Sequence, residues 1–370
     1  MRSIETGGAT LEPKRKIRAG VLGATGAVGQ RFVAMLTAHP WFELTALAAS
    51  ERSAGRLYGE LVRWKISADV PEGAAEMNLR PCQPDLPCDI VFSALDASIA
   101  GEVEAAFAKA GYAVLSNSRN HRLSPDVPLL IPEVNDGHLD ALAAQKKLRG
   151  WTGCIVTNPN CSTIGLALAL APLQRKFGVE HVVVSTLQAL SGAGYPGVSS
   201  WDLVDNVIPY IEGEEEKIEA ETAKILGSWD GSAFQPASVI ISAHCHRVPA
   251  IDGHLESVSV KLSRPASPEA AAAAMSEFRG APQELMLPTA PERPLRVRSE
   301  PDRPQTRLDR DEEGGMTAVI GRLRRCPVLD LRFAVLSHNT IRGAAGAAIL
   351  NAELLVARGL VTAGAAASRS

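Results

Sequence analysis

The sequence predicts a chain of two unlike halves, α/β first and α+β after it, and three observations carry that prediction. Its 370 residues exceed the roughly 100–200 of an ordinary domain, so about two hydrophobic cores are expected. A glycine-rich turn near residue 23 stands between a short apolar strand and a helical run. Near Thr157 the apolar pattern changes, from brief continuous runs separated by alanine-rich helices to long alternating strands.

The first strand is Ile17–Leu22, and after it Gly23-Ala24-Thr25-Gly26-Ala27-Val28-Gly29 places three glycines within seven residues. Val28, Phe32, Met35 and Leu36 then recur at helical spacing. Strand, glycine turn and helix is the order a dinucleotide site requires. Glycine lets the backbone approach a pyrophosphate, and the helix start presents unpaired N–H groups and a positive dipole end. The spacing here, G-x-x-G-x-x-G, is a variant of the usual fingerprint. Apolar runs at Phe42–Ala49, 89–95, 112–115 and 154–156 alternate with helical stretches at 99–110 and 139–145. That rhythm predicts a Rossmann-type parallel sheet with helices on both faces. At the end of the second strand, Ser50-Glu51-Arg52-Ser53 bears on the choice of cofactor. An arginine there accommodates a ribose 2′-phosphate and an acid accepts the 2′-hydroxyl, so Arg52 between Ser50 and Ser53 favours NADP while Glu51 keeps NAD open.

Beyond Thr157, runs at 181–188, 238–244, His254–Leu262, 316–323 and 329–335 predict a second, mixed or largely antiparallel sheet. The Pro/Arg-rich stretch 288–310 reads as a long surface loop or arm. In 344–356, Ile349, Leu350, Leu354 and Leu355 form one broad apolar stripe, which makes a helix that needs cover. The ends, 1–16 and 362–370, read as frayed tails.

Charge narrows the partners. Lys+Arg total 38 against Asp+Glu 41, a net charge of -3 without segregation, so no field for nucleic acid exists. No apolar run approaches the ~18 residues that span a bilayer, and residues 1–16 lack the apolar stretch of a secretory signal. A cytoplasmic protein acting on small molecules is expected. Its six cysteines (Cys82, Cys88, Cys154, Cys161, Cys245, Cys326) form no C-x-x-C pair, which predicts neither a disulfide framework nor a metal site. Most read as small buried hydrophobes.

Cys161 is the exception. Asn158-Pro159-Asn160-Cys161-Ser162-Thr163 follows the strand at 154–156 and precedes the apolar helical run 164–173. A helix N-terminus favours the thiolate, and its N–H groups could steady a developing oxyanion. For the accompanying base, His254 opens a strand just after a turn, with His244 and His246 as nearby rivals that position alone does not exclude. Read by themselves, Glu214 and Lys217 are an ordinary i,i+3 surface pair and Gln188 is a polar strand end.

Seven segments together resemble the aspartate-semialdehyde dehydrogenase family, most closely its archaeal and fungal branch, over about residues 17–358. They are 23–29, 50–53, 158–163, 188–197 (Gln-Ala-Leu-Ser-Gly-Ala-Gly-Tyr-Pro-Gly), 214–217, 247–254 and 337–346 (Ser-His-Asn-Thr-Ile-Arg-Gly-Ala-Ala-Gly). The resemblance implies Cys161 as nucleophile, His254 as general acid/base and Gln188 as the group orienting substrate near the thiol. It implies Arg247 on the substrate α-carboxylate, Glu214 on the amino group and Lys217 on phosphate, with Arg122 as second phosphate cation, Arg119 as its rival, and Asn160 lining the pocket. The cofactor would be NADP, held by Gly23, Ala24, Thr25, Gly26, Ala27, Val28, Gly29, Ser50, Arg52, Ser53 and Asn339.

The implied reaction is NADPH-dependent reductive dephosphorylation of L-4-aspartyl phosphate to L-aspartate 4-semialdehyde through a cysteine thioacyl intermediate. It would serve lysine, threonine, methionine and isoleucine biosynthesis. Residues 1–157 with 344–370 would form the NADP-binding domain, completed by the returning C-terminal helix. Residues 158–343 would form the catalytic and dimerisation domain of a homodimer or homotetramer. Two alternatives remain: malonyl-CoA reductase, which uses the same cysteine logic, and a non-catalytic NADP-binding regulator. Glu214 favours an amino-acid substrate, since malonyl-CoA has no ammonium to pair with it.

Overall fold

The computed structural model describes residues 12–66 and 68–364. The expected tails therefore fall partly outside the described residues, at 1–11 and 365–370. Six parallel strands form the first sheet: β1 (Ile17–Leu22), β2 (Phe42–Ala49), β3 (Leu79–Pro81), β4 (Ile90–Ser93), β5 (Ala113–Ser116) and β6 (Cys154–Thr157), in the order β3-β2-β1-β4-β5-β6. Every residue of β4, β5 and β6 is buried, as strands covered on both faces must be. Helix α1 (Ala27–Thr37) covers one face, setting Phe32 against Phe92 with ring centroids 5.1 Å apart. Helix α2 (Ala97–Lys109) puts Phe107 with Val114 and Ile155 on the other, and α3 (Ala141–Arg149) follows before β6. Strand order reverses between β1 and β4, so the connections leaving their carboxyl ends diverge and leave a crevice.

The second sheet is mixed. Its strands are β7 (Val179–Gln188), β10 (Ile240–Arg247), β11 (His254–Leu262), β12 (Leu295–Val297), β13 (Ala318–Arg325) and β14 (Leu331–Ser337), with β8 (Ser228–Trp229) and β9 (Phe234–Gln235) as a separate ribbon. The order is β10-β7-β11-β14-β13-β12, with β10/β7 and β12/β13 parallel and the other neighbours antiparallel. Strand periodicity sends Val182, Val184, Thr186 and Gln188 to the covered face, and leaves Val183 and Leu187 exposed on the other. Helices α4 (Cys161–Phe177), α5 (Glu214–Ile225) and α6 (Pro268–Ser276) supply the cover.

Two expectations need correction. The 288–310 stretch is no free arm, because β12 lies within it and pairs with β13. Arg303 Nε donates to the fully buried Asp309 at 2.7 Å, and Arg298 meets Glu312 at 3.0 Å. Carboxylates take the place of solvent around these arginines. The terminal helix α7 (Gly346–Ala357) follows a π-helical turn at Ile341–Ala345 and carries no single stripe: every residue from Gly346 to Leu355 is buried. Ile349, Leu350, Leu354 and Leu355 enter the core of the first sheet while Ala347 joins that of the second. The helix is covered on all sides, and its buried Glu353 is met by His39 Nε2 at 2.7 Å. Among the described residues no helix is long and apolar enough to cross a membrane.

Candidate active site

Cys161 is the first residue of α4, and its position is set by the residue before it. Asn160 caps the helix, its Oδ1 accepting the N–H groups of Ser162 at 3.0 Å and Thr163 at 3.4 Å. The Asn160 N–H donates to Glu221 Oε2 at 2.6 Å and its Nδ2 to Glu214 Oε2 at 2.8 Å. Two buried carboxylates of α5 thus hold the residue adjoining the thiol. The cap engages the Ser162 and Thr163 N–H groups, and the Ser162 N–H also bears on the Cys161 sulfur.

Cys161 Sγ lies 3.2 Å from His254 Nε2. Gly253, at φ +95°, makes the sharp entry into β11 that brings His254 there, and its N–H donates to Asn339 Oδ1 at 2.8 Å. β10, one strand beyond β7, contributes Arg247, whose Nη1 donates to the Ala189 carbonyl at 2.7 Å. His244 and His246 alternate onto the opposite face, the first exposed, the second with Nδ1 3.2 Å from the Thr186 carbonyl oxygen. The geometry therefore leaves His254 beside the thiol.

Burial dominates the electrostatics. It pushes the Cys161 thiol up to about 12, with Glu214 adding to the rise and Arg122, Arg247 and the Ser162 N–H opposing it. The helix end's pull toward thiolate loses to desolvation. Burial, then Arg247 and His338, lowers His254 to about 3. Glu214 is pushed up by burial, yet Lys217, Asn160 and Gln188 outweigh this and hold it below the usual carboxylate range.

Glu214 and Lys217 are paired as the i,i+3 spacing predicts, but Glu214 is buried and not at the surface. They form the i,i+3 pair at 2.7 Å, and both line a cavity of about 710 Å³ that reaches from Val28 past Asp96 and Asn117 to Cys161. Gln188 Nε2 sits 3.3 Å from Glu214 Oε2. Arg122 is buried, donating to Glu221 Oε1 at 2.9 Å and the Asn117 carbonyl at 2.8 Å, and Arg119 lines the same cavity. Sequence reasoning missed Glu221. Its signal was a second acid seven residues after Glu214, hence on the same helix face. It also missed Gly343 in the π-helical turn, where a Cβ would come 2.8 Å from that of Cys161.

The glycine turn fits a dinucleotide. Gly23 has φ +77°, and a side chain on Gly29 would collide with the Gly23 carbonyl, so helix and strand can meet this closely only with glycine at both positions. The helix's first i→i−4 bond is Gln30 N–H to Gly26, which leaves the N–H groups of Ala27, Val28 and Gly29 at its open end. Gly23 and Ala24 serve the turn itself, since both N–H groups bond to the Ala48 carbonyl and the Ala24 carbonyl accepts the Tyr58 hydroxyl at 3.0 Å. The Thr25 carbonyl accepts Gln30 Nε2 at 2.9 Å. Arg52 stands exposed at the end of β2, with Ser50 and Ser53 hydroxyls 3.2 Å apart beside it. These three lie outside the lining of the 710 Å³ cavity, whereas Asn339 lies within it.

Known proteins share this arrangement. The family model described as semialdehyde dehydrogenase, NAD binding domain, matches residues 18–142, and semialdehyde dehydrogenase, dimerisation domain, matches 170–342. An aspartate-semialdehyde dehydrogenase of Archaeoglobus fulgidus is 54% identical over 338 residues, covering 91% of this chain and 97% of that protein. One from Cryptococcus neoformans is 48% identical, covering 95% of this chain and all (100%) of the relative. Among solved structures, aspartate-semialdehyde dehydrogenase with NADP from Candida albicans superposes with a TM-score of 0.86 at 45% identity, over 93% of this chain and 99% of that one.

Proposed function

The chain belongs to the aspartate-semialdehyde dehydrogenase family, and from that premise we propose the role of each residue in the site. The enzyme uses NADP and catalyses the reductive dephosphorylation of L-4-aspartyl phosphate to L-aspartate 4-semialdehyde, or the reverse. The observation that carries the residue assignments is the 3.2 Å approach of the buried His254 to Cys161 at a helix start, with Cys161 in the lining of a cavity that reaches Val28 of the glycine-turn helix.

Cys161 attacks the acyl carbon and becomes a thioester, which splits one difficult displacement into two easier ones. His254 addresses the carbonyl oxygen through Nε2. Arg247 offers a planar fork to the α-carboxylate, and Glu214, held ionised, pairs with the ammonium. Lys217 and Arg122 supply the cations for phosphate, with Asn160 and Gln188 fixing Glu214 between them. Ala27, Val28 and Gly29 would present N–H groups to the cofactor pyrophosphate, Arg52 with Ser50 and Ser53 would take the 2′-phosphate, and Asn339, in the cavity lining, would be a further cofactor contact. NADPH supplies the hydride when bound.

Residues 1–157 with 344–370 form the cofactor domain in this reading, and 158–343 the catalytic domain. The apolar burial of α7 in the first core supports that division. The matched dimerisation domain and the exposed Val183, Leu187 and Ile240 support a homodimer. The free thiols of Cys82, Cys154, Cys161, Cys245 and Cys326 suit a reducing cytoplasm. The test is an assay of NADP⁺ reduction with L-aspartate 4-semialdehyde and phosphate, run beside malonyl-CoA with NADPH. Phosphate-dependent turnover in the first arm alone is expected, and turnover in the second alone would refute the substrate assignment.

A further inference from the structure

Four charged residues of α5, Glu214, Lys217, Glu221 and Lys224, follow one another at spacings of three and four and so share one stripe of the helix. The first two line the cavity, and the third holds Asn160 and Arg122. Lys224 is the one the reaction leaves unused. It is only 6% exposed, which is rare for a lysine, and a buried ammonium requires partners.

Those partners lie in a single loop of the other sheet. Lys224 Nζ donates to the carbonyls of Arg122 at 2.8 Å, Ser124 at 2.9 Å and Val127 at 2.8 Å. An ammonium has three N–H groups, and this loop takes up all of them. Nζ also sits over the ring of Phe234 in the β8/β9 ribbon, 4.3 Å from its centroid. Lys224 thereby fastens the loop 117–127, which follows β5 of the first sheet, to a helix packed on the second. The same loop faces the cavity with Asn117, Ser118, Arg119, Asn120 and Arg122. Arg122 is gripped at both ends by α5, its guanidinium by Glu221 at 2.9 Å and its carbonyl by Lys224.

We propose that Lys224 is a positioning residue for phosphate: its ammonium holds the loop bearing Arg119 and Arg122 against α5, and so fixes those cations in the cavity that Lys217 also lines. The proposal rests on the reading of Arg122 and Lys217 as the cations for phosphate.

Such a clamp responds to pH. A neutral amine keeps two N–H groups and turns a lone pair on the third carbonyl, so deprotonation releases one tie and leaves two like dipoles facing. Burial lowers Lys224 to about 8, with Asp126 of the loop and Glu221 one turn back opposing the fall. Arg122 is bound to Glu221, and Arg149 of α3 to Asp126. His138, its ring centroid 4.9 Å from that of Phe234, is lowered by burial to about 4 and stays neutral in this range. The ammonium is therefore lost as pH rises through about 8, well below the ordinary lysine value of 10.5.

The test compares wild type with Lys224→Met in the full-length enzyme, using inorganic phosphate, L-aspartate 4-semialdehyde and NADP⁺. Methionine keeps most of the side chain's length and loses the donors. KM for phosphate should rise about 10–100-fold, as when one hydrogen bond to a charged group is lost, while KM for the semialdehyde and kcat at saturating phosphate stay near wild type. In wild type, KM for the phosphate dianion should rise between about pH 7 and 9 while that for the semialdehyde does not, and in Lys224→Met both should be flat. Phe234→Leu removes the ring and none of the carbonyls, so it should move the wild-type rise to lower pH; this variant and the wild-type profile decide the matter if Lys224→Met does not fold. Equal rises of both KM values in Lys224→Met, or a wild-type KM for phosphate that is flat through about pH 8, would overturn the proposal. Arg122→Gln separates the clamp from the reading beneath it. A raised KM for phosphate there, beside an unchanged one in Lys224→Met, would sink the clamp alone, and an unchanged KM in both would refute the phosphate cations and the clamp together.

Discussion

At the scale of single residues the site is built from groups whose charges are set more by burial than by type. Cys161 shows the consequence. In the free enzyme its thiol is pushed up to about 12 by desolvation, whereas at Cys326 burial also raises the thiol but the Leu329 and Val328 N–H groups, Ser259 and Arg332 outweigh it and hold it below the usual thiol range. Iodoacetamide near pH 7 should therefore modify Cys326 before Cys161, as peptide mass spectrometry can read; the opposite order would mean a preformed thiolate at the helix start. Arg247→Lys keeps the charge but loses the fork, so KM for the semialdehyde should rise strongly while kcat falls less. A fall in kcat at unchanged KM would move Arg247 from binding to chemistry. Arg52→Ala should weaken NADP far more than NAD, since only NADP carries the 2′-phosphate, and equal losses would mean Arg52 serves the solvent alone. Cys161 was legible from the sequence because a helix cap is a local signature. The choice among His244, His246 and His254 depended on strand facing, and Glu221 acts through Arg122 and the Asn160 backbone, 99 and 61 residues away in sequence. No short-range pattern encodes such separations.

The elements tell a similar story. Parallel strands such as Ile17–Leu22 and Phe42–Ala49 were readable to the residue because continuous apolar runs bounded by turns admit few alternatives. The 288–310 stretch was not, because its arginines are neutralised by Asp309 and Glu312, partners no composition rule names. The terminal helix was found, but its covering on all sides depends on two cores meeting around it. The π-helical turn before it sets Gly343 against the nucleophile, and such turns recur at functional sites. Gly343→Ala should fold, with overpacking costing about 1–3 kcal/mol, yet lose on the order of 10²-fold in kcat by displacing Cys161. Wild-type kcat in that variant would free the turn from any positioning role.

A second element carries a pH signature. Glu104 of α2 is raised to about 7 by burial, against the Ser116 hydroxyl, which donates to Oε1 at 2.8 Å. Its folded pKa lies above the unfolded value, so its contribution to stability is full below about 4.5 and is lost as pH rises through about 7. Between pH 5 and 8 the melting temperature of wild type should fall more than that of Glu104→Gln. Parallel curves would mean the carboxyl does not titrate in that window.

For the whole molecule, the two sheets are joined by α4 on one side and α7 on the other, and the Cys161 thiol sits where the first sheet hands the chain to the second. Removing 344–370 should expose both cores and give insoluble protein, whereas removing 362–370 should be tolerated; a soluble, NADP-binding 1–343 chain would contradict the discontinuous first domain. The central claim is that this junction makes Cys161 a covalent acyl carrier. Mixing enzyme with NADP⁺ and L-aspartate 4-semialdehyde in the absence of phosphate tests it most directly, by rapid quench and peptide mass spectrometry. A burst of one NADPH per site is expected, together with an acyl mass on the peptide containing Cys161, discharged on adding phosphate. No burst, or an acyl group on any other residue, would contradict it.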